Sequence, residues 1–158
     1  MATWASDNPS KRHRAPLEVR TALLAALVAA IADPRLSLEP QLSSPWAIET
    51  LERARRLWPC RELVFVVGSD LAPQIPCWKE ASAVLGHCRL AIAPRAGWPL
   101  AAADLERLRA LGAELEVLPL QIPPSASSHL REQPDPALVP SELWPVLLQH
   151  NLYGLTPP

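Results

Sequence analysis

The sequence is poor in lysine, in cysteine and in phosphate-binding glycine loops. Only two lysines stand against thirteen arginines, and the formal net charge is −1. Charge therefore gives no case for a nucleic-acid or membrane-surface protein, and the lopsided cations, with abundant alanine and proline, read as coding bias. Cys60, Cys77 and Cys88 are the only cysteines. An odd count without a close pair argues against a disulfide framework and against zinc, and fits a reduced, cytoplasmic compartment. No G-x-G-x-x-G and no Walker A loop occurs. The apolar stretch over residues 23–32 is too short to span a bilayer. The first residues carry charges where a signal peptide needs an apolar stretch.

Apolar residues make up 49% of the 158 and charged residues 20%. That is globular composition, and the length suits one domain, residues 1–158. The nineteen prolines fall mostly between elements and towards the C-terminus, without a collagen period.

Residues 16–32, rich in alanine and leucine, predict a helix with Glu18 at its positive end, stopped by Asp33-Pro34. Leu36–Glu39 predicts a short strand. Residues 45–57 predict a helix capped by Ser44. Leu63–Val67 (LVFVV) predicts a strand buried on both faces. A short helix over 77–85, a strand over 89–93, a helix over 102–111 closed by Gly112, and a strand over 115–118 follow. A Pro/Ser-rich stretch with a short turn near Ser127 leads to a last helix over 141–150, interrupted by Pro145. The opening TWASDNP reads as a strand end and its loop. Helices alternating with apolar strands mean an α/β fold with a parallel sheet.

Ligands of open α/β sheets sit beyond the carboxyl ends of the strands. Gly68 and Asp70 stand at such an end. Glycine admits close approach and aspartate accepts a ribose hydroxyl; the alternative is that Asp70 only caps the next turn. Trp78 suits stacking on an aromatic ring, or plain core packing. Arg95, at the end of the next strand, suits a phosphate, or is merely solvated. Ser127, Ser128 and Arg131 make an anion site at a helix start, or a capped polar loop. Asn8 and Lys11 sit in a basic loop, over phosphates or simply hydrated. No cysteine has a histidine shown to pair with it, and no acid/base carboxylate pair can be named.

Together and in this order, these pieces resemble the bacterial nicotinate-nucleotide adenylyltransferases of the nucleotidylyltransferase superfamily, nearly end to end. DNPSK (7–11), PWAIETL (45–51), VFVVGSDL with IPCWKE, LAIAPRAGW, SASSHLR and LVPSELWPVLLQHNLY each resemble a family segment. The resemblance implies a Rossmann-like doubly wound α/β domain. It implies transfer of AMP from ATP to nicotinate mononucleotide, giving deamido-NAD and pyrophosphate, with Mg²⁺ accompanying ATP and no covalent enzyme intermediate. Gly68, Asp70, Ser127, Ser128 and Arg131 would then meet ATP. Asn8, Lys11, Trp46, Trp78 and Arg95 would meet the mononucleotide, Trp78 stacking on the nicotinate ring and Arg95 holding the phosphate. ATP and nicotinate mononucleotide are the expected partners, with no nucleic acid and no membrane, and a homo-oligomer is open.

The departures are specific. The family's opening strand and helix, with the His-x-Gly-His motif that serves catalysis, have no counterpart here; none of His13, His87, His129 and His150 sits in such a motif. No catalytic residue can therefore be named, and no metal ligand. Since every downstream signature survives, the expectation is a true start upstream of Met1; the other explanation is a shortened, non-catalytic nucleotide-binding relative. Loss of a central strand would also expose an apolar seam and lower solubility. Ala47 replaces a family threonine near the nicotinate, and Ser10 a usual histidine. Pro134 and Pro136 follow Arg131 closely, so a short phosphate helix is expected. A nucleotidylyltransferase with another phosphorylated acceptor is the third reading.

Overall fold

The computed structural model describes residues 1–8, 15–124 and 135–154. It falls into two compact units, residues 1–45 with 125–158 and residues 46–124. In the first, β1 (Ala2–Thr3) leads through α1 (Leu17–Ile31) to β2 (Ser37–Leu38), which pairs parallel with β1. Parallel pairing of consecutive strands needs such a crossover, and a helix supplies it. The strand end expected in TWASDNP is thus present. Pro16 takes the cap position of α1 and Glu18 its first turn, where a missing N–H costs nothing and a negative charge meets the helix dipole. The helix ends at Ala32, whose φ of 50° is left-handed. Arg20 spans back to the opening loop, bonding Ser6 O and reaching Asp7 at 3.3 Å. The last helix, α5 (Trp144–Gln149), carries Pro145 in its first turn and follows a 3₁₀ turn at Ser141–Leu143.

The second unit repeats the crossover twice. Three strands, β3 (Val64–Gly68), β4 (Arg89–Ala93) and β5 (Leu115–Val117), form a parallel sheet in the order β3-β4-β5. α3 (Ala81–His87) joins the first pair and α4 (Ala102–Ala110) the second, while α2 (Ala47–Leu57) precedes β3. The central strand is the buried one: Leu90, Ala91, Ile92 and Ala93 are all inside. The core gathers Leu90 and Ile92 with Val67, Ile75, Leu85 and Leu108. A second cluster joins Ile48 and Leu51 of α2 to Val84 and Cys88. Gly112, with φ +93°, turns the chain after α4, and the Ala113 N–H closes back on Leu108 O. That is the C-terminal turn the glycine announced.

Three expectations need correction. β3 is not buried on both faces: Val64 and Val66 are 42% and 51% exposed, and only Val67 is buried. Among the described residues β3 pairs with β4 alone, and Val64 and Val66, two apart, put the exposed side chains on one face of the strand. The helix expected over 77–85 is broken. A 3₁₀ turn at Ile75–Cys77 is followed by extended Trp78 and by Glu80 in the left-handed region (φ 54°), so α3 begins only at Ala81. Pro76 suits the 3₁₀ turn, and the kink lets Trp78 turn inward. Ser44 does not cap α2; the cap position belongs to extended Trp46, without a side-chain cap bond.

Burial of Cys88 has a chemical consequence. Desolvation pushes its thiol up to about 11, against smaller lowering effects from Arg55 and the Phe65 backbone. Cys60 and Cys77 are exposed. Iodoacetamide at pH 8 is expected to label two thiols in the native protein and three in urea; three native labels would contradict the packing. The neutral thiol is favoured by folding, so the stability it contributes is complete below about pH 9 and is lost as pH rises towards 11.

Candidate active site

The carboxyl ends of β3 and β4 bring together residues far apart in the chain. β3 ends on Gly68, and Ser69–Leu71 form a 3₁₀ turn directly after it. β4 exits through Pro94 into Arg95. The guanidinium of Arg95 donates from Nη1 to Asp70 Oδ2 at 3.0 Å, and both side chains are about four-fifths covered, at 21% and 22% exposure. Charge-assisted bonds of this length are among the stronger polar contacts. Asp70 is not the cap of either following turn: those positions are Gly68 and Gln74, neither with a side-chain cap bond. A Cβ at Gly68 would meet Asp70 Oδ1, so any larger residue there would make the Asp70 carboxylate shift.

Arg95 rides on a tight turn. The Trp98 N–H donates to Arg95 O at 3.0 Å, and Gly97 has φ +82°, as the third position of a type II turn requires. Ile122 flanks the turn, donating to Pro94 O and accepting from the Ala96 N–H at 2.7 and 3.0 Å. Beneath it, Ser69 is buried; its Oγ donates to Trp98 O at 2.7 Å and accepts the Arg95 N–H at 3.0 Å. Sequence reasoning passed over Ser69, because a serine between a glycine and an aspartate carries no signal of its distant partners.

The two candidate tryptophans, Trp46 and Trp78, lie in the same unit. Trp78 is half-buried and meets Phe65 edge to face, with centroids 6.3 Å apart and planes at 89°. It packs against both core clusters, so the packing alternative describes part of its surface. Trp46, 38% exposed, lies under the Lys79 ammonium at 5.5 Å, and Lys79 pairs with Glu49 at 3.5 Å. Asn8 belongs to the other unit, one residue after Asp7. Lys11, Ser127, Ser128 and Arg131, together with the turn expected near Ser127, lie outside the described residues.

No protein-family model matches the chain. A probable nicotinate-nucleotide adenylyltransferase of Synechocystis is 31% identical over 168 residues, covering 97% of this chain and 84% of that protein. The chain belongs to the nicotinate-nucleotide adenylyltransferase family. A Thermus thermophilus protein named likewise is 34% identical over 105 residues, covering 64% of this chain and 55% of its own. In structure, the chain is similar to a Plasmodium falciparum nicotinic acid mononucleotide adenylyltransferase solved with NaAD. The TM-score is 0.73 at 16% identity, over 97% of this chain and 82% of that one. That likeness bears on the fold, and the α/β expectation stands. The carboxyl ends of β3 and β4 thus bring together a carboxylate, a guanidinium and a glycine, at the side of the sheet where ligands of open α/β folds sit. Among the described residues, no group of three or more His, Cys, Asp or Glu could hold a metal ion. A magnesium ion carried by phosphates needs few protein ligands.

Proposed function

We propose that the protein transfers AMP from ATP to nicotinate mononucleotide, releasing pyrophosphate and forming deamido-NAD. The observation that carries this reading is the near end-to-end relation to the Synechocystis protein. In the reaction, a phosphate oxygen of the mononucleotide attacks the α-phosphorus of ATP in line. The bond from that phosphorus to the bridging oxygen breaks, and pyrophosphate leaves with the electron pair. Arg95 holds the mononucleotide phosphate, its planar fork matching two oxygens. Trp78 offers its accessible surface to the nicotinate ring. Gly68 lets the adenosine approach β3, and Asp70 accepts a ribose hydroxyl. Ser127, Ser128 and Arg131 hold the ATP phosphates, and Asn8, Lys11 and Trp46 complete the mononucleotide side. Mg²⁺ would enter on ATP and neutralise phosphate charge. Catalysis is positioning and charge stabilisation, without a covalent intermediate. No helix of the described residues is long and apolar enough to cross a membrane; we place the enzyme in the cytoplasm.

A second reading has its own observation: the 158 residues contain no His-x-Gly-His. That reading is of a nucleotide-binding relative that holds mononucleotide without efficient transfer. Trp78 variants test the acceptor half of both readings. Trp78→Ala is expected to weaken nicotinate mononucleotide binding by about tenfold, and Trp78→Phe much less, since a stacked aromatic contributes about 0.5–1.5 kcal/mol beyond its buried area. Unchanged affinity in Trp78→Ala, measured by titration calorimetry on folded protein, would sink the stacking role.

A further inference from the structure

We propose that Ser69 is a positioning residue, whose hydroxyl aims Arg95 at a phosphate monoester beyond the carboxyl ends of β3 and β4. The proposal rests on the functional reading above and adds to it a residue that touches no substrate.

The geometry is specific. A serine hydroxyl has one proton to give and lone pairs to receive. Here the proton goes to Trp98 O at 2.7 Å, and a lone pair receives the Arg95 N–H at 3.0 Å. Those two backbone groups are the two ends of the Arg95–Trp98 turn, which the Trp98 N–H closes on Arg95 O. One buried atom thus ties both feet of the turn to the end of β3. The next residue, Asp70, then holds the other end of the same arginine by its guanidinium at 3.0 Å. Consecutive residues of one strand exit fix the backbone and the head of Arg95. Alanine at position 69 fits the space but leaves both feet of the turn without this tie. A displaced arginine loses its match to a phosphate oxygen pair, because such recognition depends on direction as well as charge.

The test is a double-mutant cycle on the full chain, read as Kd for nicotinate mononucleotide and for ATP. Ser69→Ala is expected to raise the mononucleotide Kd about tenfold and to leave the ATP Kd within about twofold. In an Arg95→Ala background, Ser69→Ala should change neither. Gly97→Ala gives a second route to the same turn. Its φ of +82° strains any side chain while nothing lies within 4 Å of the added Cβ, so the strain arises in the turn itself and not from a clash. It too should raise the mononucleotide Kd several-fold, and only while Arg95 is present. Additive losses in the Arg95→Ala background, or equal weakening of ATP and mononucleotide, would overturn the positioning role. A wild-type protein with no saturable mononucleotide binding would instead remove the functional reading beneath it.

Discussion

Arg95→Ala weakens nicotinate mononucleotide binding by about ten- to a hundredfold and ATP binding by much less, through the loss of Asp70's partner: this is the expected result with the largest functional effect. A hydrogen bond to a charged group contributes about 1.5–3 kcal/mol, and 1.4 kcal/mol is one factor of ten. Arg95 makes one such bond with Asp70, and the proposed role adds phosphate when the mononucleotide is bound. Lysine does not substitute well, because a point charge on a flexible stem cannot match the fork. Arg95→Lys should recover only a small part of the loss. Calorimetric titration with each nucleotide separates the two affinities. Equal affinity of Arg95→Ala and wild type for the mononucleotide would remove Arg95 from the site.

The largest expected effect on stability lies in the central strand. Leu90 is fully buried in β4, within the core that β3 and α4 share. Leu90→Ala should cost about 2–5 kcal/mol, the lost transfer energy plus that of the cavity left behind. Val66 is also a β-branched strand residue in an apolar run, yet it is half exposed on the edge strand. Val66→Ala should cost well under half as much, because its methyl groups are already partly in water. Urea unfolding of both variants checks the contrast, provided the slope stays that of the wild type. Equal costs would mean that β3 is covered on both faces in solution.

That contrast marks how far the sequence can be read. The runs LVFVV and RLAIA look alike, and periodicity alone cannot tell an edge strand from a central one. Their existence and order are legible because both are apolar, β-favouring and bounded by breakers. Burial depends on what pairs beside them, which lies in distant residues. Gly112 was legible because a glycine after an Ala/Leu/Arg helix has one common use, the left-handed turn. The helix expected over 77–85 starts late because the local pattern hides the left-handed Glu80 that delays α3. The site shows the same division. Gly68, Asp70 and Arg95 were each visible as polar or glycine residues at strand ends. Their assembly was not: Asp70 and Arg95 are 25 positions apart, and only parallel pairing of β3 with β4 sets them side by side. Ser69 stayed hidden for the same reason, since its partners are backbone atoms of a turn that sequence does not display.

The central claim is adenylyl transfer, and one measurement meets it directly. The full chain is incubated with ATP, magnesium and nicotinate mononucleotide, and pyrophosphate and deamido-NAD are quantified together. The account predicts both products in equal amounts, appearing only when both substrates are present. Saturable mononucleotide binding with no pyrophosphate and no dinucleotide would contradict it, and would leave a nucleotide-binding protein without transfer.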